Sequence, residues 1–269
     1  MLIDVQLSPA AYEWPALRDL TFAAEAVGFD TAWVFDHLSG ASLGGASHAG
    51  AGMLECFTLA GALAAATSTI GLGSLVTNVA NRPIGVLATA AASVQAISGG
   101  RFALGLGAGA APGSRWAAEH DALGIKLAPT MAARHALVGE ALDLFDALWR
   151  EDERDARFVG MPNPSPRPPV IVGVNSDALA TLAGRRADGI NINGRHPRAS
   201  ELLAVADAAR VDRHRPWDAS AWAFWDDALL DADHPDRRRW ASWGIGRLIL
   251  VALTPLPLGA IERAAGRLR

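Results

Sequence analysis

The chain has one cysteine (Cys56), one tyrosine and one lysine (Lys126) in 269 residues. A lone cysteine excludes an intrachain disulfide framework, and its place in an Ala-rich stretch reads as a small buried hydrophobe. A basic excess is also missing. The net charge of -4 argues against a nucleic-acid surface, which needs clustered positive charge. No window approaches the roughly 18 uninterrupted apolar residues of a membrane span. The start, Met1-Leu2-Ile3-Asp4-Val5, carries neither the basic region nor the apolar stretch of a signal peptide. A soluble, cytoplasmic protein is therefore expected, with no nucleic-acid and no membrane partner. The histidines His48, His120, His135, His196, His214 and His234 show no HxH or HExxH spacing, so no metal site is expected. There is no GxSxG either, which leaves nucleophilic catalysis without support.

Charged residues make up only 19% of the chain and apolar residues 51%, which suits a large packed core rather than disorder. Arginine supplies nearly all the basic groups, an imprint of a GC-rich genome. One pattern recurs along the chain: an Ala/Leu-rich helical stretch ends at glycine or another small residue, and a short β-type run follows at once. Examples are Val27-Gly28-Phe29-Asp30 before Thr31 to Phe35, Ser98-Gly99-Gly100 before Arg101 to Gly107, and Ala187-Asp188-Gly189 before Ile190 to Ile192. Glycine at a helix end supplies a left-handed cap, and short apolar runs bounded in this way read as buried parallel strands.

The pattern predicts eight strands, near 2–7, 31–35, 69–77, 101–107, 169–174, 188–193, 219–225 and 246–253. Helices are predicted near 14–27, 54–66, 83–97, 129–149, 176–187, 198–214, 234–243 and 256–268. Strict alternation in about 250 residues points to one (β/α)8 TIM barrel spanning residues 1–269, with 219–243 the weakest region. In such a barrel the chemistry sits on the βα loops. The longest follow strand 2 (Asp36 to Gly52) and strand 4 (Ala108 to Pro129), so a site is expected at the ends of strands 2, 3 and 4.

Four segments near those ends can carry chemistry. Asp36-His37 closes strand 2, where imidazole and carboxylate suit acid–base work; the plain alternative is a loop cap beside an exposed histidine. Gly73-Ser74-Leu75-Val76-Thr77-Asn78 offers small polar groups to a flat heterocycle, or is merely a strand end before Asn81-Arg82-Pro83. Gly105-Leu106-Gly107-Ala108-Gly109-Ala110 is not a Rossmann fingerprint, because it follows the fourth strand and Pro112-Gly113 interrupts the path to a helix. Its glycines still let a ligand approach the backbone. Val170 to Asp177 reads as strand, turn and helix start, where Ser176 or Asp177 can cap the helix and free N–H groups can bind phosphate. Five tryptophans between Trp217 and Trp243 either pack or wall an aromatic pocket.

Taken together, Ala23 to His37, Ile70 to Asn78, Val94 to Gly109, Glu119 to Gly124, Arg134 to Trp149 and Asp188-Gly189 resemble the luciferase-like monooxygenase superfamily. The resemblance covers nearly the whole chain and supports the barrel independently. It implies a bound flavin, either the deazaflavin coenzyme F420 or FMN, lying against strands 2 to 4. By the same resemblance Asp36 and His37 lie beside the reactive ring, His37 exchanging a proton and Asp36 orienting it. Ser74 and Leu75 flank a non-prolyl cis peptide backing the ring, while Thr77 and Asn78 meet its edge. Gly107, Ala108, Gly109, Gly173, Val174, Asn175 and Ser176 line the phosphate-bearing tail. The implied activity is F420-dependent hydride transfer to or from an organic small-molecule substrate. The alternatives are an FMN-dependent two-component monooxygenase using O2, with a separate reductase, and a non-catalytic flavin-binding barrel. A homodimer is also implied. Three departures stand out: Val174 where the family has a second glycine, Ala110 where sugar-phosphate dehydrogenases have an acid, and no tryptophan between Leu38 and Leu43. These disfavour sugar-phosphate oxidation.

Overall fold

A computed structural model describes residues 1–43, 50–150, 152 and 155–268. His48 and the middle of the loop after the second strand lie outside the described residues. The strands are β1 (Leu2–Leu7), β2 (Thr31–Val34), β3 (Gly71–Asn78), β4 (Phe102–Gly107), β5 (Val170–Gly173), β6 (Gly189–Asn193), β7 (Asp218–Phe224) and β8 (Arg247–Ala252). All eight pair in parallel and in sequence order, and β8 closes on β1 from Leu2↔Arg247 to Leu7↔Ala252. The fold is a closed (β/α)8 barrel. The helices are α1 (Trp14–Val27), α2 (Cys56–Ala66), α3 (Ile84–Ile97), α4 (Ala118–Leu123), α5 (Met131–Leu148), α6 (Asp177–Arg186), α7 (Ala199–Ala209), α8 (Pro235–Ser242) and α9 (Leu258–Glu262). None of the described helices is long and apolar enough to cross a membrane.

Strand alternation divides the apolar residues into two cores. Ile3, Val5, Leu72, Leu104, Val172, Ile190 and Leu248 pack outward against the helices, together with the buried Cys56. Burial pushes the Cys56 thiol well above its ordinary pKa, so it is held as an unreactive thiol. Inside the barrel a smaller cluster joins Trp33, Leu75 and Ile249. The Trp33 indole lies where a Cβ on Gly73 would stand, so only glycine admits it. Below it, Asp4 accepts from Trp33 Nε1 (2.7 Å) and from Arg247 (2.7 Å), and Arg247 also reaches Asp218 (2.7 Å). Burial raises the Asp4 pKa to about 7.

Several junctions form as the sequence predicts. Gly28 ends α1 in the left-handed region (φ 96°) and returns its N–H to Ala24. The region expected to be weakest carries a complete strand, β7, paired on both sides. The Pro-rich connection contains a cis Ser165-Pro166 bond. The non-prolyl cis bond lies at Leu75-Val76, one residue beyond the expected Ser74-Leu75.

At the lower rim Glu25 of α1 gathers the backbone N–H groups of Ser68 (2.8 Å), Thr69 (2.5 Å) and Ile70 (3.0 Å) on one oxygen, fixing the turn into β3. Burial works against the charge, but the Thr69, Ile70 and Ser68 N–H groups prevail and pull its pKa from 4.5 to about 2. A carboxyl depressed on folding stabilises the protein above its unfolded pKa, and that stability is lost as pH falls toward about 2. Glu25→Gln is therefore expected to be about 1–2 kcal/mol less stable than wild type at pH 7, after discounting for solvent screening. The gap should narrow toward pH 3. Denaturant unfolding at both pH values checks this, and an equal gap at both would show that the charge plays no part.

Candidate active site

The C-terminal ends of the strands surround an open cavity of about 670 Å³, within the range of small-molecule sites. Asp36, His37, Leu75, Asn78, Gly107, Ala108, Gly109, Gly173, Val174 and Asn175 all line it. Ser74, Thr77 and Ser176 do not. Ser74 shares the outward face of Leu72, two residues before it; for Thr77 the reason lies further along β3, whose register against β4 runs Ser74↔Leu104 and then Thr77↔Leu106. This gives β3 one extra residue. A bulge resets side-chain alternation, so Leu75 and Val76 face the cavity. Ser74 and Thr77 are fully buried, and the Thr77 hydroxyl donates to Ser74 Oγ at 2.7 Å. Ser176 instead caps α6, accepting the Leu179 N–H.

Asp36 and His37 are neighbours in sequence but not partners. Successive residues of an extended chain point to opposite sides, and these two find different elements. The Asp36 side chain is 1% exposed and clamped by Arg82, with oxygens 2.6 and 2.9 Å from the guanidinium nitrogens. It also accepts from the Asn78 N–H (2.9 Å) and Asn81 Nδ2 (3.1 Å). Burial raises its pKa, although Arg82 and Asn78 oppose this. Asp36 therefore ties the end of β2 to the β3–α3 turn and does not orient His37.

Glu119 of α4 does that instead. Its Oε1 lies 2.9 Å from His37 Nδ1, and its Oε2 accepts from the N–H groups of Leu38 (2.9 Å) and Ser39 (3.0 Å). The Glu119 side chain is 2% exposed. Burial alone would raise its pKa, but hydrogen bonds from His37, Ser42 and Leu38, with the charge of His37, hold it below the ordinary value. An ionised Glu119 accepts only, so in the uncharged form of the His37 imidazole Nδ1 carries the proton and Nε2 is left with a lone pair. Trp116 packs 5.8 Å from the imidazole, ring centre to ring centre. Glu119 belongs to a stretch that the family resemblance marks, yet nothing local in sequence pairs it with a residue 82 positions away.

Other cavity residues also escape a sequence reading. His120 is buried, its Nε2 2.8 Å from both Asn78 Nδ2 and Asn81 Oδ1. Asn191, Asn193 and His196 line the wall at the end of β6, and Arg134 with His135 lines it from α5. Of the five late tryptophans, Trp222 lines the cavity, set edge-on to Phe224 at 5.5 Å. Trp217, Trp225, Trp240 and Trp243 pack against the core.

The wall fits a flat heterocycle. Val76 projects over Gly107 and Gly173, where added Cβ atoms would come within 2.5 and 3.0 Å of its methyl groups. Gly109 turns at φ 75°, and any Cβ there would strike the Asn78 amide. An apolar shelf of Leu75 and Val76 thus lies between small-residue walls, with His37 and Asn78 as polar groups at hand.

The profile of the luciferase-like monooxygenase family matches residues 1–222. The chain is 32% identical over 223 residues to an F420-dependent glucose-6-phosphate dehydrogenase of Beutenbergia cavernae, covering 76% of this chain and 62% of that protein. It is 29% identical over 245 residues to the pyrimidine monooxygenase RutA of a Bradyrhizobium species, covering 84% and 63%. Among solved structures it is similar to an F420-dependent secondary alcohol dehydrogenase in complex with an F420-acetone adduct. The TM-score is 0.78 at 17% identity, covering 100% of this chain and 99% of that one. That likeness shows the barrel alone. The chain spans between 53% and 63% of the length of these two curated relatives and two further ones that it matches.

Proposed function

The chain belongs to the luciferase-like monooxygenase family, and from that premise we propose that it is an F420-dependent oxidoreductase acting on a small organic substrate. The observation that carries the reading is His37, backed at Nδ1 by the buried carboxylate of Glu119 and standing beside the Leu75–Val76 shelf of the cavity. Relatives named as F420-dependent support the choice of coenzyme. When bound, the deazaflavin supplies or accepts a hydride, and the protein supplies position and electrostatics.

Leu75 and Val76 would back the ring, and Asn78 would hydrogen-bond its edge. The backbones of Gly107 to Gly109 and Gly173 to Asn175 would line the tail. His37 Nε2 takes a proton from a substrate hydroxyl during oxidation, or returns one to a carbonyl oxygen during reduction. Glu119 holds the imidazole in the tautomer that leaves Nε2 available and offsets the positive charge that develops on it. Trp222 and Phe224 give the substrate an apolar wall. A homodimer belongs to the same reading, and Val86 and Ile97, each 56% exposed on α3, support it by offering an apolar face.

Quenching of the protein's tryptophan fluorescence by added coenzyme tests the assignment, since Trp33, Trp116 and Trp222 lie in or beneath the site. F420 is expected to bind tightly and FMN weakly. The reverse order would replace this reading with the FMN-dependent monooxygenase that uses O2 and a separate reductase, an alternative that the RutA relative supports. Binding of neither would favour a non-catalytic barrel.

A further inference from the structure

Gln6 of β1 lines the cavity although it is only 2% exposed. It stands next above Asp4 on the inward face of the strand. The register carries its row across three strands, from Phe224 of β7 to Val251 of β8 and Gln6 of β1. Trp222 and Leu253 complete this side of the wall. Among these residues Gln6 alone carries a side-chain hydrogen-bond acceptor, since an indole only donates.

The orientation of its amide is fixed by β3. Leu75 falls where the pairing of β3 lapses: its register with β2 ends at Ser74, and its register with β4 resumes at Thr77. The Leu75 carbonyl takes a hydrogen bond from Gln6 Nε2, which reaches past β2 to supply it. A carbonyl oxygen only accepts, so the amide nitrogen must face Leu75 and Oε1 must face away. Among the described residues no donor reaches Oε1, and the oxygen is not sealed in the core. Its partner must come from what occupies the cavity.

On the reading above, the coenzyme ring lies on Leu75 and Val76 and its tail along the glycines of β4 and β5. In a closed ring of eight strands, β8 and β1 stand opposite β4 and β5. The molecule that meets the row of Phe224, Val251 and Gln6 is therefore the substrate. We propose that Gln6 is a specificity-determining residue: its Oε1 accepts a hydrogen bond from an uncharged O–H or N–H of the substrate, whose apolar body lies against Trp222, Phe224, Val251 and Leu253. This donor is additional to the hydroxyl that exchanges its proton with His37. The proposal rests on the coenzyme reading for the place of the ring. A site built around a buried acceptor rejects an analogue without the matching donor more strongly than an apolar pocket rejects one of altered size.

The test compares two alcohols with one apolar body: phenylglycol, which carries a second hydroxyl, and methylphenylcarbinol, which lacks it. Both are titrated by calorimetry into wild type and Gln6→Met loaded with reduced F420, which cannot oxidise an alcohol. Wild type is expected to bind phenylglycol about ten-fold more tightly, and Gln6→Met to bind the two alike. A preference that survives in Gln6→Met overturns the proposal. A merely distorted shelf gives that same result, because it weakens both alcohols equally. No preference in wild type overturns it without any variant, as does failure of wild type to take up either alcohol. Should Gln6→Met not fold, Gln6→Asn is read in the same way, its amide withdrawn from the ligand by one methylene. If wild type binds no deazaflavin, the coenzyme reading falls separately; the alcohols are then titrated against FMN-loaded or unloaded protein, and the same ratios decide.

Discussion

Replacing His37 with alanine is expected to lower turnover by about 10²- to 10⁴-fold, the usual range for loss of a positioned acid–base group. Coenzyme affinity should change little, because the shelf and the glycine walls are built by other residues. The loss should fall on kcat more than on KM, since the proton moves during the chemical step. Glu119→Gln makes the argument sharper. Its amide nitrogen must face either the Leu38 and Ser39 N–H groups, which only donate, or His37 Nδ1, which must then accept and so leave the ring proton on Nε2. The dyad therefore cannot be rebuilt, and turnover should fall between wild type and His37→Ala, again with coenzyme affinity preserved. Steady-state kinetics beside the fluorescence titration separate the two quantities. A His37→Ala protein with wild-type turnover would remove the proton role altogether.

The second large effect concerns stability. Arg82→Met leaves Asp36 buried, 1% exposed at its side chain, with no counter-charge. Breaking one side of a buried ion pair destabilises by about 3–5 kcal/mol, and in a chain of this size each kcal/mol moves Tm by about 2–4 °C. A fall of about 10 °C is therefore expected. The sign of its pH dependence follows from the carboxyl. Burial already raises the pKa of Asp36, and without Arg82 it rises further. The folded state then binds the extra proton, so stability falls as pH rises and the deficit shrinks in acid. Adding Asp36→Asn to Arg82→Met should restore much of the loss, since no orphaned charge remains. Calorimetry on the single and double variants checks both statements. A single variant melting within a degree or two of wild type would mean that Asp36 does not depend on Arg82.

These two cases show what local sequence carries. The strands emerged within one or two residues of their observed ends because the cues, apolar runs and small-residue caps, lie inside each βα unit. The site was legible as a place, the loops after β2, β3 and β4, and less so as a set of bonds. Asp36-His37 reads as a pair on the page, yet an extended backbone sends the two side chains apart, to Arg82 and to Glu119. Thr77 lies off the cavity wall because one inserted residue in β3 exchanges the faces that simple alternation would give, and Ser74 because it shares the outward face of Leu72. Glu119, His120 and Arg134 arrive from the long β4 connection, and only closure of the barrel brings them against β2 and β3. No spacing rule over a few residues can encode such a meeting.

The packing of Trp33 against Gly73, above the Asp4–Arg247 pair, has a bearing on traffic. With Trp33 2% exposed and Leu75 and Ile249 closing around it, the described residues shut the barrel beneath the cavity, so a ligand would reach it from the side of the βα loops. A coenzyme lying on that floor with substrate above it would have to enter first and leave last, so the expected kinetic order is ordered addition, and product inhibition patterns check it.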